Sequence, residues 1–86
     1  MIHFASTRFW ARYYELSEDI RALADKPFAL LKENPAHPSL RFKKVGRFRS
    51  ARISTGIRAL AVESGSNLVW FWIGDHQEYE RVIRKG

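Results

Sequence analysis

Residues 39–74 read "SLRFKKVGRFRSARISTGIRALAVESGSNLVWFWIG", and the way this stretch divides decides the fold. Leu40 and Phe42 alternate with Arg41 and Lys43, the pattern of a half-buried strand. Gly46 marks a turn into "RFRSARIST", Thr55-Gly56 turns into "IRALAVE", and Ser64-Gly65-Ser66-Asn67 turns into "LVWFWIG". Short turns between β-branched and aromatic runs predict an antiparallel meander of four strands. The unbroken apolar run from Leu68 to Ile73 marks a central strand covered on at least one face, and Gly74 is read as its end.

The residues ahead of this stretch carry helical spacing. "MIHF" can begin a short strand, after which Ser6 or Thr7 offers an N-cap oxygen for a helix with Phe9, Tyr13 and Leu16 on one side. Ser17 is a second cap, followed by Glu18 and Asp19 where the helix dipole favours anions. Ile20, Leu23, Ala24, Phe28, Leu31 and part of Leu30 then form an apolar stripe. Pro27 interrupts it at a cost of about 3 kcal/mol if mid-helix, so the helix either kinks there or ends near Asp25 and restarts. The two prolines of "ENPAHP" stop it. The expectation is an α+β chain: an N-terminal helical hairpin on a four-stranded, mainly antiparallel sheet, closed by a short C-terminal helical turn.

With 86 residues, 45% of them apolar, the chain is read as one domain over residues 1–86. It has no cysteine, and His3, His37 and His76 lack ligand spacing, so neither disulfides nor a metal site are expected. No cofactor is expected either. No segment approaches the roughly 20 apolar residues of a membrane helix, and the first residues lack signal-peptide layout, which points to the cytoplasm. The net charge is +6, and Arg41–Arg58 holds seven basic residues and no acid. Such one-signed enrichment suits a polyanion, or an acidic protein.

Glycosidase-like carboxylate pairs, a phosphate-binding glycine loop and a nucleophile elbow are missing. Metal-free phosphodiester cleavage remains. It needs a proton acceptor for the 2′-hydroxyl, cations on the phosphate oxygens and a proton donor for the 5′-oxygen. Arginine fits the second role and histidine the proton roles. In "WFWIGDHQEYERVI", residues 70–83, Asp75 and His76 emerge from the hydrophobic strand with Tyr79 three residues on. Arg52 and Arg58, on neighbouring strands, can face the same concavity.

Each of these residues also has a plain reading. Asp75 is a natural N-cap, His76 a surface residue, Tyr79 a half-buried core ring, and Glu78 and Glu80 solvent-side charges. Arg52 can pair with a helix acid such as Glu15. Lys43 and Lys44 serve solubility, and as strand neighbours cannot share a face. Trp10, Trp70 and Trp72 are read as core.

The succession "HPSLRFKKV", "ARISTGIRALAV", "LVWFWIGDHQEYERVI" resembles the RelE/ParE superfamily of bacterial toxin–antitoxin toxins, particularly its RelE-like branch of ribosome-dependent messenger-RNA interferases. Its most specific elements are the closing "IG-x-H-x-x-Y" and an "R-I-x-x-G-x-R" from Arg52 to Arg58. The resemblance implies a nuclease acting on messenger RNA in the ribosomal A site, with a cognate antitoxin covering the basic sheet. It makes Arg58 the ligand of the scissile phosphate, His76 the general acid or base, and Tyr79 the aromatic beside the reacting nucleotide. Arg52 stabilises charge, and Lys43, Lys44, Arg41 and Arg49 hold RNA phosphates. The general base stays unassigned, Lys43 and Lys44 being candidates. The ParE branch, which shares this fold and acts on DNA gyrase, is the alternative, as is an inactive partner of an antitoxin.

Overall fold

The computed structural model describes residues 2–34 and 37–85. Strand β1 (His3–Ala5) leads into helices α1 (Thr7–Glu15) and α2 (Glu18–Glu33). A single 3-10 turn over Pro38–Leu40 precedes β2 (Lys43–Val45), β3 (Phe48–Ser54), β4 (Ile57–Ser64) and β5 (Asn67–Asp75), and α3 (His76–Lys85) closes the chain. The α+β expectation holds, with a five-stranded sheet in place of four strands, in the order β1-β5-β4-β3-β2. The added strand is β1, which pairs parallel to β5, with Phe4 opposite Val69; all other pairings are antiparallel.

Both early helices begin on serine side chains. Ser6 Oγ accepts from the Phe9 N–H at 3.2 Å, which settles the cap on Ser6, and Ser17 Oγ accepts from the Ile20 N–H at 3.3 Å. Helix α2 neither ends nor restarts at Pro27 but runs through it. The carbonyl that loses its helical donor belongs to Leu23, whose side chain is 62% exposed, so water can satisfy it.

The first strand of the meander is shorter than its alternation predicts. Leu40 is buried from the 3-10 turn, and Arg41 adopts φ +46° before β2 begins at Lys43. A left-handed non-glycine residue costs about 1 kcal/mol, and this one swings the chain into the sheet edge.

Strand β5 carries the core on both faces through a bulge. Leu60 pairs with Trp72 and Ala61 with Trp70, leaving Phe71 as the extra residue. That insertion shifts the alternation. Leu68, Trp70 and Ile73 face the α1/α2 layer with Phe9 and Leu31, while Trp72 joins Phe48, Leu60 and Tyr79 beneath α3. The unbroken apolar run is therefore a two-faced central strand. Gly74 does not end it. A Cβ there would stand 2.7 Å from the Trp72 ring and 3.2 Å from the Arg12 guanidinium, so a side chain would force the tryptophan ring to shift.

The aromatic expectation is half corrected: Trp70 and Trp72 are core, but Trp10 is 44% exposed. It lies one residue off the Phe9–Tyr13 stripe and rims that stripe edge-on, its ring 5.4 Å from Phe9 and 5.3 Å from Tyr13. Among the described residues, no helix is long and apolar enough to cross a membrane.

Candidate active site

The β3–β4 turn at Thr55-Gly56 and the start of α3 meet at one end of the sheet. Arg52 and Arg58 are direct cross-strand partners flanking that turn. The main-chain N–H of His76 donates to the Gly56 carbonyl at 3.0 Å. Asp75 Oδ1 accepts from the Glu78 N–H at 2.8 Å, the N-cap the sequence suggested. Helix α3 therefore starts at a fixed place, and it is a ten-residue helix rather than a single turn.

A third tether was not visible in the sequence. Arg12, from α1, donates through Nε to the Ile73 carbonyl at 3.0 Å and pairs with Glu78 at 2.6 Å, its guanidinium 5.0 Å from the Trp72 ring. Glu78 is thus not a free solvent charge. Its role depends on a residue 66 positions away, beyond any local pattern.

Within this frame Tyr79 is 5% exposed, more buried than the half-wet ring expected. It packs 6.5 Å from Trp72 and lies nearly parallel to the His76 imidazole, 5.8 Å between centroids and 19° between planes. His76 Nε2 lies 3.4 Å from Glu80 Oε1, one helical turn on. Both side chains are about half exposed, so the contact is screened and contributes little to stability.

Arg58 is anchored by one nitrogen. Its Nη1 donates to the carbonyls of Ser54 at 2.9 Å, Ile57 at 3.2 Å and Thr55 at 3.4 Å, while Nε and Nη2 have no partner among the described residues. Partial burial lowers its pKa from the ordinary value, with the positive charges of Arg52 and Arg41 adding to the effect and Tyr79 opposing it. An arginine stays protonated through such a shift. The secondary cause, Arg52, bears on ligands: two neighbouring guanidiniums favour an anion beside them.

The side chains enclose an open hollow of about 230 Å³ lined by Arg41, Lys43, Arg52, Arg58, His76 and Tyr79, with Val45, Ser50, Glu80 and Ile83 completing the wall. Six of the eight residues singled out from the sequence meet there. Lys44 and Arg49 do not. They pair with one another across β2–β3, one step out of phase with Lys43 and Ser50, and so face the other side of the sheet. Arg49 donates through Nε to Glu63 at 2.8 Å, and this hydrogen bond holds the Glu63 carboxyl below its usual range. Arg52 lies against Arg58, not Glu15, which borders a separate hollow with Arg12. Sequence reasoning missed Ser50 and Glu80 as wall residues; the i,i+4 spacing of Glu80 from His76 was the available signal.

Chemically, the hollow presents four cations and an imidazole on rigid elements, which suits a phosphodiester and a proton transfer.

No protein-family model matches the sequence, and no curated protein matches it. Solved structures do match the fold. The chain is similar to YafQ from E. coli, with a TM-score of 0.70 and 12% identity over 90% of this chain and 94% of that one. A YoeB/ParE toxin from Agrobacterium tumefaciens gives a TM-score of 0.65 at 16% identity, covering 88% and 99% of the two chains. The isolated E. coli RelE toxin gives 0.61 at 12% identity, covering 98% and 96%. The chain shares the fold of these YafQ, YoeB/ParE and RelE structures.

Proposed function

Taking that fold as premise, we propose that this chain is the toxin of a type II toxin–antitoxin module and a metal-independent endoribonuclease that cleaves translated messenger RNA at the ribosome. The observation that carries the reading is the convergence of His76, Arg52 and Arg58 on one open hollow. A phosphate between the two guanidiniums relieves their mutual repulsion, and the free Nε and Nη2 of Arg58 form a fork suited to two of its oxygens.

In the reaction, the 2′-oxygen bonds to phosphorus as the bond to the 5′-oxygen breaks, leaving a 2′,3′-cyclic phosphate and a 5′-hydroxyl. One proton leaves the 2′-hydroxyl and one reaches the 5′-oxygen. His76 performs one transfer and water in the open hollow serves the other. Arg58 and Arg52 neutralise the charge that gathers on the non-bridging oxygens. Tyr79, buried beneath the imidazole, supports it in the hollow. Arg41 and Lys43 hold the neighbouring phosphates. A cognate antitoxin is the expected protein partner and the cytoplasm the expected place of action.

Expression in bacteria followed by primer extension tests this. Cuts inside translated codons, absent from His76→Ala and Arg58→Ala strains, are expected. Growth arrest with intact messages and accumulating DNA breaks would instead indicate the gyrase-directed activity of the ParE branch.

A further inference from the structure

Glu80 is the one carboxylate lining the cationic hollow among the described residues. It does not pair with any of the four cations there; its contact is with His76 Nε2, at 3.4 Å. The imidazole is also held by the Tyr79 ring beneath it, and its backbone by the Gly56 carbonyl. Its second nitrogen, Nδ1, has no partner among the described residues.

We infer that Glu80 is a positioning residue for His76: its carboxylate accepts from Nε2–H and leaves Nδ1 as the ring nitrogen that exchanges a proton with the substrate. This rests on the nuclease reading given above. In a neutral imidazole one nitrogen carries the proton and the other is the base, and the hydrogen bond made by one decides the state of the other. A carboxylate on Nε2 selects the Nε2–H tautomer. A second consequence separates this role from a general electrostatic one. Glu80 sits in a hollow meant for an anion, so its negative charge opposes substrate binding; it is useful there only if it serves turnover.

The test combines single-turnover cleavage of messenger RNA in ribosomal complexes with nitrogen-15 spectra of the His76 ring, for wild type, Glu80→Ala and Glu80→Gln. The side chain is half exposed on a helix surface, so all three are expected to fold alike. Glu80→Ala should lower the saturating rate roughly tenfold without raising the half-saturating concentration, and should lose the Nε2–H bias. Glu80→Gln, which keeps an acceptor oxygen, should restore most of both. An unchanged rate in Glu80→Ala, or a slower rate with an unchanged tautomer balance, would overturn the inference. A wild-type protein that cuts no RNA contradicts the nuclease reading instead, and the spectra still decide whether Glu80 sets the tautomer.

Discussion

The His76 N–H bonded to the Gly56 carbonyl at 3.0 Å ties the first residue of the last helix to the turn that presents Arg58 two residues later. The imidazole of His76 and the guanidinium of Arg58 are thereby carried on segments fixed to one another through main chain. Long, mobile side chains from separate surfaces would not hold that spacing.

Arg58 is the first residue to test. Arg58→Ala removes the phosphate fork and should lower single-turnover cleavage by on the order of a hundredfold. It also takes one donor from the carbonyls of Ser54, Thr55 and Ile57, two of them part-buried, so a stability loss of about 1–2 kcal/mol is expected. Arg58→Lys keeps the charge and loses the fork, and should recover only part of the rate. Equal rates for lysine and arginine would show that geometry does not matter there.

Phosphate contacts are distinguishable by side of the sheet. For single-stranded RNA, each phosphate contact adds about 0.7 to the slope of log affinity against log salt. Lys43→Ala, on the hollow, should reduce that slope by roughly 0.7, whereas Lys44→Ala and Arg49→Ala, on the opposite face, should leave it unchanged. Binding titrations from low to moderate salt measure it, and equal reductions in all three would mean that RNA wraps the sheet edge.

A side chain at Gly74 should be costly. The Cβ of Gly74→Ala meets a buried tryptophan ring at 2.7 Å, and overpacking of that kind costs about 2 kcal/mol, or on the order of 10 °C in Tm for a domain this small. Calorimetry of the variant checks it. An unaltered Tm would mean that Trp72 and Arg12 move aside freely.

The edge strand β1 carries a pH dependence. Trp70 Nε1–H donates to His3 Nδ1 at 3.0 Å, which requires that nitrogen to be unprotonated. Burial lowers the His3 pKa from 6.5. The folded protein therefore binds this proton less readily than the unfolded chain, so the stabilisation is complete above the unfolded value and is lost as pH falls through the folded one. Tm should drop as pH is taken from neutrality into the acid range below 6.5, and His3→Gln, whose amide oxygen can accept from Trp70, should flatten part of that fall. A wild-type Tm that is flat over this range would exclude the contribution.

Arg12 should matter for position more than for chemistry. Arg12→Ala removes a bond to the Ile73 carbonyl, an ion pair with Glu78 and a cation over Trp72, together worth about 2 kcal/mol. Its effect on cleavage should be smaller than that of Arg58→Ala, because α3 keeps its other two ties. A cleavage defect as large as that of Arg58→Ala would place Arg12 among the reacting groups.

Much of this was legible because the signals are local. Strands β3, β4 and β5 were readable from turns at Thr55-Gly56 and Ser64–Asn67, and the cap at Asp75 from its place before a charged helix. Strand β1 was less so: three residues pairing in parallel with a partner some 65 positions away leave no turn to find. The 3-10 turn at Pro38–Leu40 imitated alternation because Leu40 is buried for another reason. The site was half legible. Residue types suggested arginine and histidine, but which side of the sheet each basic residue faces follows from register, and register placed Lys44 and Arg49 away from the hollow.

The most direct measurement is the chemistry of the cut ends. Purified protein is added to ribosomes stalled on a defined message, and the fragments are typed at both new termini. The account predicts a 2′,3′-cyclic phosphate on one fragment and a 5′-hydroxyl on the other, with no such products from folded His76→Ala or Arg58→Ala. Intact message with the wild type, or undiminished cutting by both variants, would contradict it.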